Sequence, residues 1–350
     1  MSRNADVDVD VIVVGGGPVG LAAAIEARLG GLTVAVVEPR ADAIDKACGE
    51  GIMPGAVPAL ARLGVVPSGH PLRGVGYRSP RARVDHRFRG PGGLGVRRTV
   101  LSAALAERAE GLGVHRVTAR VDSLEQDRAG VSAGGVRGRY LLGADGLHST
   151  IRSLIGVEVP SPSRQPTDTR RFGFRRHFAV APWSDLIEVH FTRDVEVYVT
   201  PVADDLVGIA VLGPAGTDFA AAVASVPEVA DRIADAQPAS TLRGAGPFQQ
   251  RTTRRSWGRV MLVGDASGYV DAITGEGIRI GLAQGRAAIA SIAEGRPGHY
   301  ERAWREATRD FRVLTSGLVA LATSPARGAI VPVSAAVPRA FGAIVERLAR

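Results

Sequence analysis

The sequence predicts an α/β fold, and three observations carry the prediction. A β-branched apolar run, Val7 to Val14, leads directly into GGGPVG and then into an alanine- and leucine-rich stretch, Leu21 to Leu29. Two later apolar strands, Arg139 to Leu142 and Gly258 to Val263, open into GADGLHSTIR and GDASGYVDAITGEGI. Between them, FGFRRHFAV, DLIEVHFT, EVYVTPV and LVGIAVL alternate from about Phe172 to Leu212 with the period of a half-buried sheet. The strand–helix units predict a Rossmann-like domain, and the alternating block predicts a second β-sheet inserted into it.

Composition bounds what such a chain can be. At 350 residues it makes one large domain or two ordinary ones, and 45% hydrophobic with 22% charged residues excludes disordered and fibrous classes. The single cysteine, Cys48, excludes a disulfide framework and a multi-cysteine centre, and no metal is expected. Lys46 is the only lysine, so 42 of the 43 basic residues are arginines, and the net charge is +8. Those arginines stand singly or in pairs, such as Arg97-Arg98 and Arg175-Arg176, among only 17 aromatics, which argues against a nucleic-acid partner. The opening MSRNADVDVDVIVV has no positively charged segment followed by an apolar core, and no run of eighteen apolar residues occurs. The expectation is a cytoplasmic protein without an integral membrane segment.

The elements follow in order. Gly15, Gly17 and Gly20 occupy a G-x-G-x-x-G spacing between a strand and a helix. Thr33 to Val37 forms a second buried strand, closed by Glu38 eighteen residues beyond Gly20. Glycine lets backbone approach a pyrophosphate, the helix N-terminus offers free N–H groups, and the carboxylate binds ribose hydroxyls and disfavours a 2′-phosphate. On this motif alone NAD and FAD both fit. The GDASG element decides for a flavin. It places a carboxylate beside the dinucleotide, and the helix Ile278 to Ile292, opened by Gly275 and Gly277, points its positive end at a group that gains negative charge on reduction. Pro67 to Gly95 contributes strands to the second sheet, and Thr99 to Leu112 is a helix of the dinucleotide domain. Asp204 and Asp205 mark a tight turn, Phe219 to Ala236 is one helix crossing the second sheet, and Pro325, Pro332 and Pro338 break the helical C-terminus into pieces.

In this order, GGGPVG with Glu38, Arg98-Thr-Val-Leu101, GADGLHSTIR and GDASGYVDAITGEGI, the chain resembles the FAD-dependent monooxygenase superfamily built on the p-hydroxybenzoate hydroxylase fold. The resemblance runs over nearly the whole sequence. It implies non-covalent FAD, with NADH or NADPH as co-substrate. Gly15, Gly17 and Gly20 are then expected at the pyrophosphate, Glu38 at the ribose and Arg98 near the pyrophosphate. Asp145 is expected to support both FAD and the passing nicotinamide, Asp265 to bond the ribityl chain, and Gly277 and Ile278 to lie along the flavin ring. Pro18, Arg40, Cys48, Gly49, Val121, Gly146, Gly264 and Gly275 complete the expected cofactor contacts. The implied division is an FAD-binding domain of residues 1–70, 97–165 and 255–298, a substrate-binding sheet domain of residues 71–96 and 166–254, and a helical segment 299–350. Ala272 stands where this family usually has proline. CGEG, residues 48–51, and TGEGI are similar instead to the geranylgeranyl-reductase-like branch.

The function implied is hydroxylation of an aromatic or polyketide-type phenolic small molecule with NAD(P)H and oxygen, through a flavin hydroperoxide. The alternative is reduction of prenyl double bonds. The flavin carries the chemistry, and the protein residues expected near the substrate are His190, Tyr198 and Cys48, with His177 on a neighbouring strand. A halogenase lacks support, because Trp183, Trp257 and Trp304 are isolated and the one lysine lies in the CGEG loop. A cofactor-binding regulator without turnover is the alternative from outside enzymology. A monomer or dimer is expected, and the apolar stretch Leu314 to Ala343 either packs on the body or makes weak contact with a membrane surface.

Overall fold

A computed structural model describes residues 8–41, 44–160 and 170–350. In chain order its principal elements begin with β1 (Val9–Val14), α1 (Pro18–Leu29), β2 (Val34–Val37), β3 (Gly74–Ser79) and β4 (Ala82–Arg87). There follow α2 (Arg98–Gly111), β5 (His115–Val117), β6 (Val136–Gly143), β7 (Arg171–Ala179), β8 (Leu186–Phe191), β9 (Glu196–Ala203) and β10 (Leu206–Pro214). The rest is α3 (Phe219–Ala224), α4 (Pro227–Ile233), β11 (Val260–Leu262), α5 (Gly277–Ala293), α6 (Tyr300–Ala322), α7 (Ile330–Ala336) and α8 (Pro338–Ala349).

The central strands of the first sheet run β11–β6–β1–β2–β5, with every neighbouring pair among these parallel, and short antiparallel strands flank β6 and β11. Parallel strands need cover on both faces, which is why β1 and β2 read as unbroken apolar runs. Helices α1, α2 and α5 pack on one face through Leu21, Ile25, Leu101, Leu105 and Ile289. The other face is closed by Val121, Val131, Ile151 and Ile155. The second sheet runs β7–β10–β9–β8–β3–β4 and is antiparallel except where β8 meets β3. Its outer face, with Val197, Ile209 and Val211, is covered by α3 and α4 through Phe219, Val223 and Val229. Its inner face turns towards the first sheet's loops.

Two helical expectations are corrected. Phe219 to Ala236 is not one helix: α3 stops at Ala224 and Pro227 starts α4, because proline has no N–H to continue a helix but suits the first helical position. Pro332 does not break the chain either. It falls in the first turn of α7, where its missing N–H would have had no intrahelical partner. The C-terminal helices are fastened to the dinucleotide side by Trp304 Nε1, which donates to Ser267 Oγ at 2.9 Å, and by the Tyr300 hydroxyl, which donates to the Leu262 carbonyl at 2.7 Å. Among the described residues no single helix is long and apolar enough to cross a membrane.

Candidate FAD and substrate site

A cavity of about 690 Å³ lies between the two sheets, and both sheets and α8 contribute to its wall. Its dinucleotide half is built from the ends of β1, β2, β6 and β11, where a doubly wound sheet places its ligands. Gly15 has φ +111°, and any side chain there would strike the Ala144 carbonyl. Gly17 opens onto the cavity opposite the Arg98 guanidinium. Gly20 is different from the expectation. It is off the cavity wall, and a methyl group there would collide with the Gly15 carbonyl, so it sets how closely α1 packs on β1.

Glu38 is buried at the end of β2, with its Oε2 accepting from the Gly16 N–H at 2.8 Å and its Oε1 from Arg40 Nε at 2.7 Å. Burial works against its charge, but Arg40 and Gly16 more than offset that and hold the carboxyl below its usual range. The Arg40 N–H and Nη2 take further positions on the same carboxylate, so a ribose competes with the half-exposed Arg40 for Glu38. Asp145 reaches the cavity, but its carboxylate accepts from Ser149 Oγ at 2.6 Å and the Ile151 N–H at 3.0 Å. It therefore shapes the loop ahead of the short helix Thr150–Leu154, beside Gly146 at φ +84°. Val121 lines the ribose end.

Asp265 is the group with acceptor capacity to spare. It lines the cavity, and among the described residues its carboxylate accepts no hydrogen bond. Burial raises its pKa, against the pull of Arg98, Lys46 and Arg152. Lys46 has no ion pair among the described residues, and burial with Arg40 and Arg98 nearby lowers its pKa. An open glycine turn, and a carboxylate and two cations without ion-pair partners among the described residues, fit a ligand carrying phosphates and a polyol. Along the flavin end run Gly264, Gly275, Gly277 and Ile278. Gly275 has φ +70°, and α5 begins at Gly277. The arrangement of Gly15, Gly17, Arg98 and Asp265 on this cavity fits a dinucleotide of the FAD type.

Next to this end, Glu276 is buried at the start of α5, with Arg279 Nε 2.5 Å from Oε2 and no partner on Oε1. Burial pushes its pKa up to about 7, against Arg279. Between its ordinary value near 4.5 and about 7 the folded chain holds a proton that the unfolded chain has lost. Stability therefore falls as pH rises through that window and is level above it. Glu276→Gln is expected to remove this slope and raise stability at pH 8 by about 2–3 kcal/mol, read from urea unfolding at pH 5 and pH 8.

The CGEG loop is clamped against the inner face of the second sheet by a buried network. Glu50, the one described non-glycine residue with positive φ, at +59°, is buried. Its Oε1 accepts from the Arg98 N–H at 2.8 Å, and its Oε2 lies 2.5 Å from His177 Nε2. Ser240 Oγ sits 2.9 Å from His177 Nδ1. Arg175, equally buried, pairs with Asp45 and donates to the Lys46 carbonyl at 3.2 Å. Cys48 and Gly49 face the cavity from this loop, and burial raises the Cys48 pKa, so the thiol is neutral rather than a thiolate nucleophile.

The half of the cavity facing the second sheet, the candidate substrate half, is walled by Val75, Tyr77, Phe172, Ile187, Val189, Tyr198, Leu212 and Phe248, closed by Val345 and Leu348 of α8. No wall residue supplied by the second sheet or by α8 is charged. His190 is corrected: it is not in this cavity. It projects from the opposite face of β8 towards α4, with Nδ1 3.1 Å from Glu228 and Nε2 3.4 Å from Glu188. Tyr198 does line the cavity, but its hydroxyl donates to the Ile273 carbonyl at 2.8 Å. Burial raises its pKa far above the usual phenol value, so it is no base. His177 belongs to the loop clamp. Tyr77, which sequence reasoning passed over, is a phenol whose hydroxyl, like that of Tyr269 on the same cavity, donates no hydrogen bond among the described residues. Burial and Glu196 push its pKa up to about 12, and its ring packs on Phe191 and Phe341 at 5.0 and 4.8 Å. The alternation Val75-x-Tyr77 was the available signal.

Residues 8–302 match the family model described as an FAD binding domain. The chain belongs to this family. Among curated proteins, it is 36% identical over 177 residues to rifampicin monooxygenase of Streptomyces venezuelae, covering 45% of this chain and 36% of that protein. It is 27% identical to menaquinone reductase of Mycolicibacterium smegmatis, over 84% of this chain and 79% of the relative. A tetracycline-type 5-/6-monooxygenase of Streptomyces rimosus is 28% identical over 78% of this chain, but that match spans 60% of the relative. Among solved structures, a flavoprotein/dehydrogenase from Cytophaga hutchinsonii superposes with TM-score 0.84 at 18% identity, covering 97% and 92% of the two chains, and shares the fold. The anhydrotetracycline hydroxylase from Streptomyces rimosus superposes with TM-score 0.70 at 25% identity, over 97% of this chain and 75% of that one.

Proposed function

We propose that this FAD-dependent oxidoreductase is a monooxygenase that hydroxylates a neutral, apolar, electron-rich aromatic molecule of phenolic or polyketide type. The uncharged wall of the substrate half is the observation that carries the reading. With no charged side chain on the wall that the second sheet and α8 supply, and with His148 at the cavity edge placed 3.1 Å from the Gly246 carbonyl, the site favours a neutral ring held by aromatic and aliphatic contact. Tyr77, kept protonated by its pKa of about 12, and Tyr269, whose pKa burial also raises, are the phenol donors available to a substrate oxygen. When bound, FAD supplies the redox chemistry between NADH or NADPH and oxygen. The chain's own part is to exclude water and fix the ring's orientation. The family relationship, with monooxygenases of antibiotic polyketides among the relatives, supports the same reading.

The test is NADPH oxidation by FAD-loaded protein with a panel of neutral phenols and phenolic polyketides, with labelled oxygen. A product one labelled oxygen heavier is expected, formed in air and absent under nitrogen. Turnover that persists without oxygen would instead establish double-bond reduction. That second reading has its own support, because the reductase relatives are matched over most of their length and CGEG faces the cavity.

A further inference from the structure

The C-terminal helices carry a surface that neither the cofactor nor the substrate reading uses. Half of the ten large apolar side chains most exposed among the described residues fall between Val313 and Ile344: Val313 (66%), Leu321, Val333 (58%), Val337 and Ile344 (48%). They are not scattered. On α6, Val313, Gly317, Ala320 and Leu321 repeat at helical spacing as one outward stripe. On α8, Ala340, Ala343 and Ile344 form another, while Phe341, Val345 and Leu348 point inwards. Arg347 of α8 pairs with Asp310 of α6, one turn from Ile344 and from Val313, so the two stripes lie alongside each other.

Charge says what covers this face. No acidic residue occurs between Val313 and Val345, whereas Arg305, Arg309, Arg339 and Arg347 border the stripes. Asp310 pairs with Arg347 and Arg309, Arg305 lies 4.0 Å from Glu301, and Glu346 is held by His86 Nε2 at 2.8 Å and the Arg89 N–H at 2.9 Å, so Arg339 alone of the four has no ion pair among the described residues. Residues 301–350 carry eight arginines against four acids, and an apolar stripe in so basic a segment is complementary to an anionic lipid surface, which presents hydrocarbon beneath negative headgroups. The segments Pro297–Ala322 and Pro325–Ala336 are together apolar enough for a span, but a bend of 101° separates them, and α6 is fastened to the body through Tyr300 and Trp304. The geometry is that of a helix pair lying on a membrane, not crossing it.

We propose that α6, α7 and α8 form an interfacial docking face for an anionic membrane. Helix α8 then stands between the bilayer and the substrate half of the cavity, with Ile344 on the outer side and Val345 and Leu348 on the inner.

The experiment is co-sedimentation of the full, FAD-loaded chain with vesicles of phosphatidylcholine alone and with one quarter phosphatidylglycerol. Binding is expected to the anionic vesicles, at least fivefold weaker to the neutral ones, and reduced in 0.5 M salt. Val313→Asp and Ile344→Asp are each expected to lower the bound fraction at least fivefold with the flavin spectrum unchanged. Arg339→Glu, at an exposed side chain with no ion pair among the described residues, tests the charge component if either apolar variant fails to fold. Wild-type protein that stays in the supernatant with anionic vesicles overturns the proposal. So does light scattering that shows a dimer dissolved by the same substitutions, since the face would then be covered by a second copy. Vesicle binding is read without turnover, so its outcome is independent of the hydroxylation assay.

Discussion

Arg175→Met is expected to lower the unfolding free energy by about 3–5 kcal/mol, the range for removing one partner from a buried ion network. Methionine keeps much of the volume but leaves the Asp45 carboxylate with only the half-exposed Arg243, at 3.0 Å, and leaves the Lys46 carbonyl without its donor. Glu50 also loses a positive neighbour at 3.8 Å while still bonded to His177. The variant is best measured by urea unfolding of cofactor-free protein. A midpoint shift with unchanged slope would report lost stability, whereas a loss under 1 kcal/mol would show that the clamp carries little. Because the clamped loop carries Lys46 and Cys48, the same variant should also admit thiol reagents to Cys48 faster than wild type.

Asp265→Ala is expected to weaken FAD binding by about 10–100-fold, corresponding to about 1.4–2.8 kcal/mol lost with a carboxylate acceptor of ligand hydroxyls. The cofactor-free protein should lose no stability. Burial already raises the Asp265 pKa, and no described residue bonds its carboxylate, so alanine removes a desolvated charge and breaks no internal contact. Titration of apo-protein with FAD, followed by flavin fluorescence, separates the two effects. FAD affinity within twofold of wild type would remove Asp265 from the cofactor site. Asp145→Asn should behave in the opposite way, costing stability before affinity, because the Asp145 carboxylate bonds Ser149 and Ile151.

The dinucleotide half was legible because its chemistry is local. A glycine turn, the acid closing the second strand and the Gly-Asp loops each sit within a few residues of the backbone they act through, so spacing alone located Gly15, Glu38 and Asp265. Gly20 shows the limit of the motif: spacing includes it, but its work is against the Gly15 carbonyl and not at the cavity. The substrate half was less legible, because alternation says which residues share a face and not which face meets the ligand. Val189 lies opposite Tyr198 in the β8–β9 register and His190 opposite Val197, so His190 and Tyr198 had to fall on opposite sides. The clamp was invisible for another reason. Asp45, Glu50, Arg175 and His177 are brought together only by the packing of one sheet's loop on the other sheet, over some 130 residues of chain.

The pairing of β3 with β8 sets the order in which this molecule can be made. These strands are joined in parallel register, Gly74 with Leu186 through Arg78 with His190, although one is synthesised more than a hundred residues before the other. On a ribosome, the hairpin β3–β4 therefore emerges with one edge unpaired and waits while α2, β5 and β6 are made. Such long-range closure places the second sheet late in folding, after the local strand–helix units of the first have formed. The amphipathic α8 comes later still, and it closes a chamber whose other walls already stand. A nascent chain halted before β8 would thus carry an open sheet edge, the state in which this protein is most exposed to aggregation.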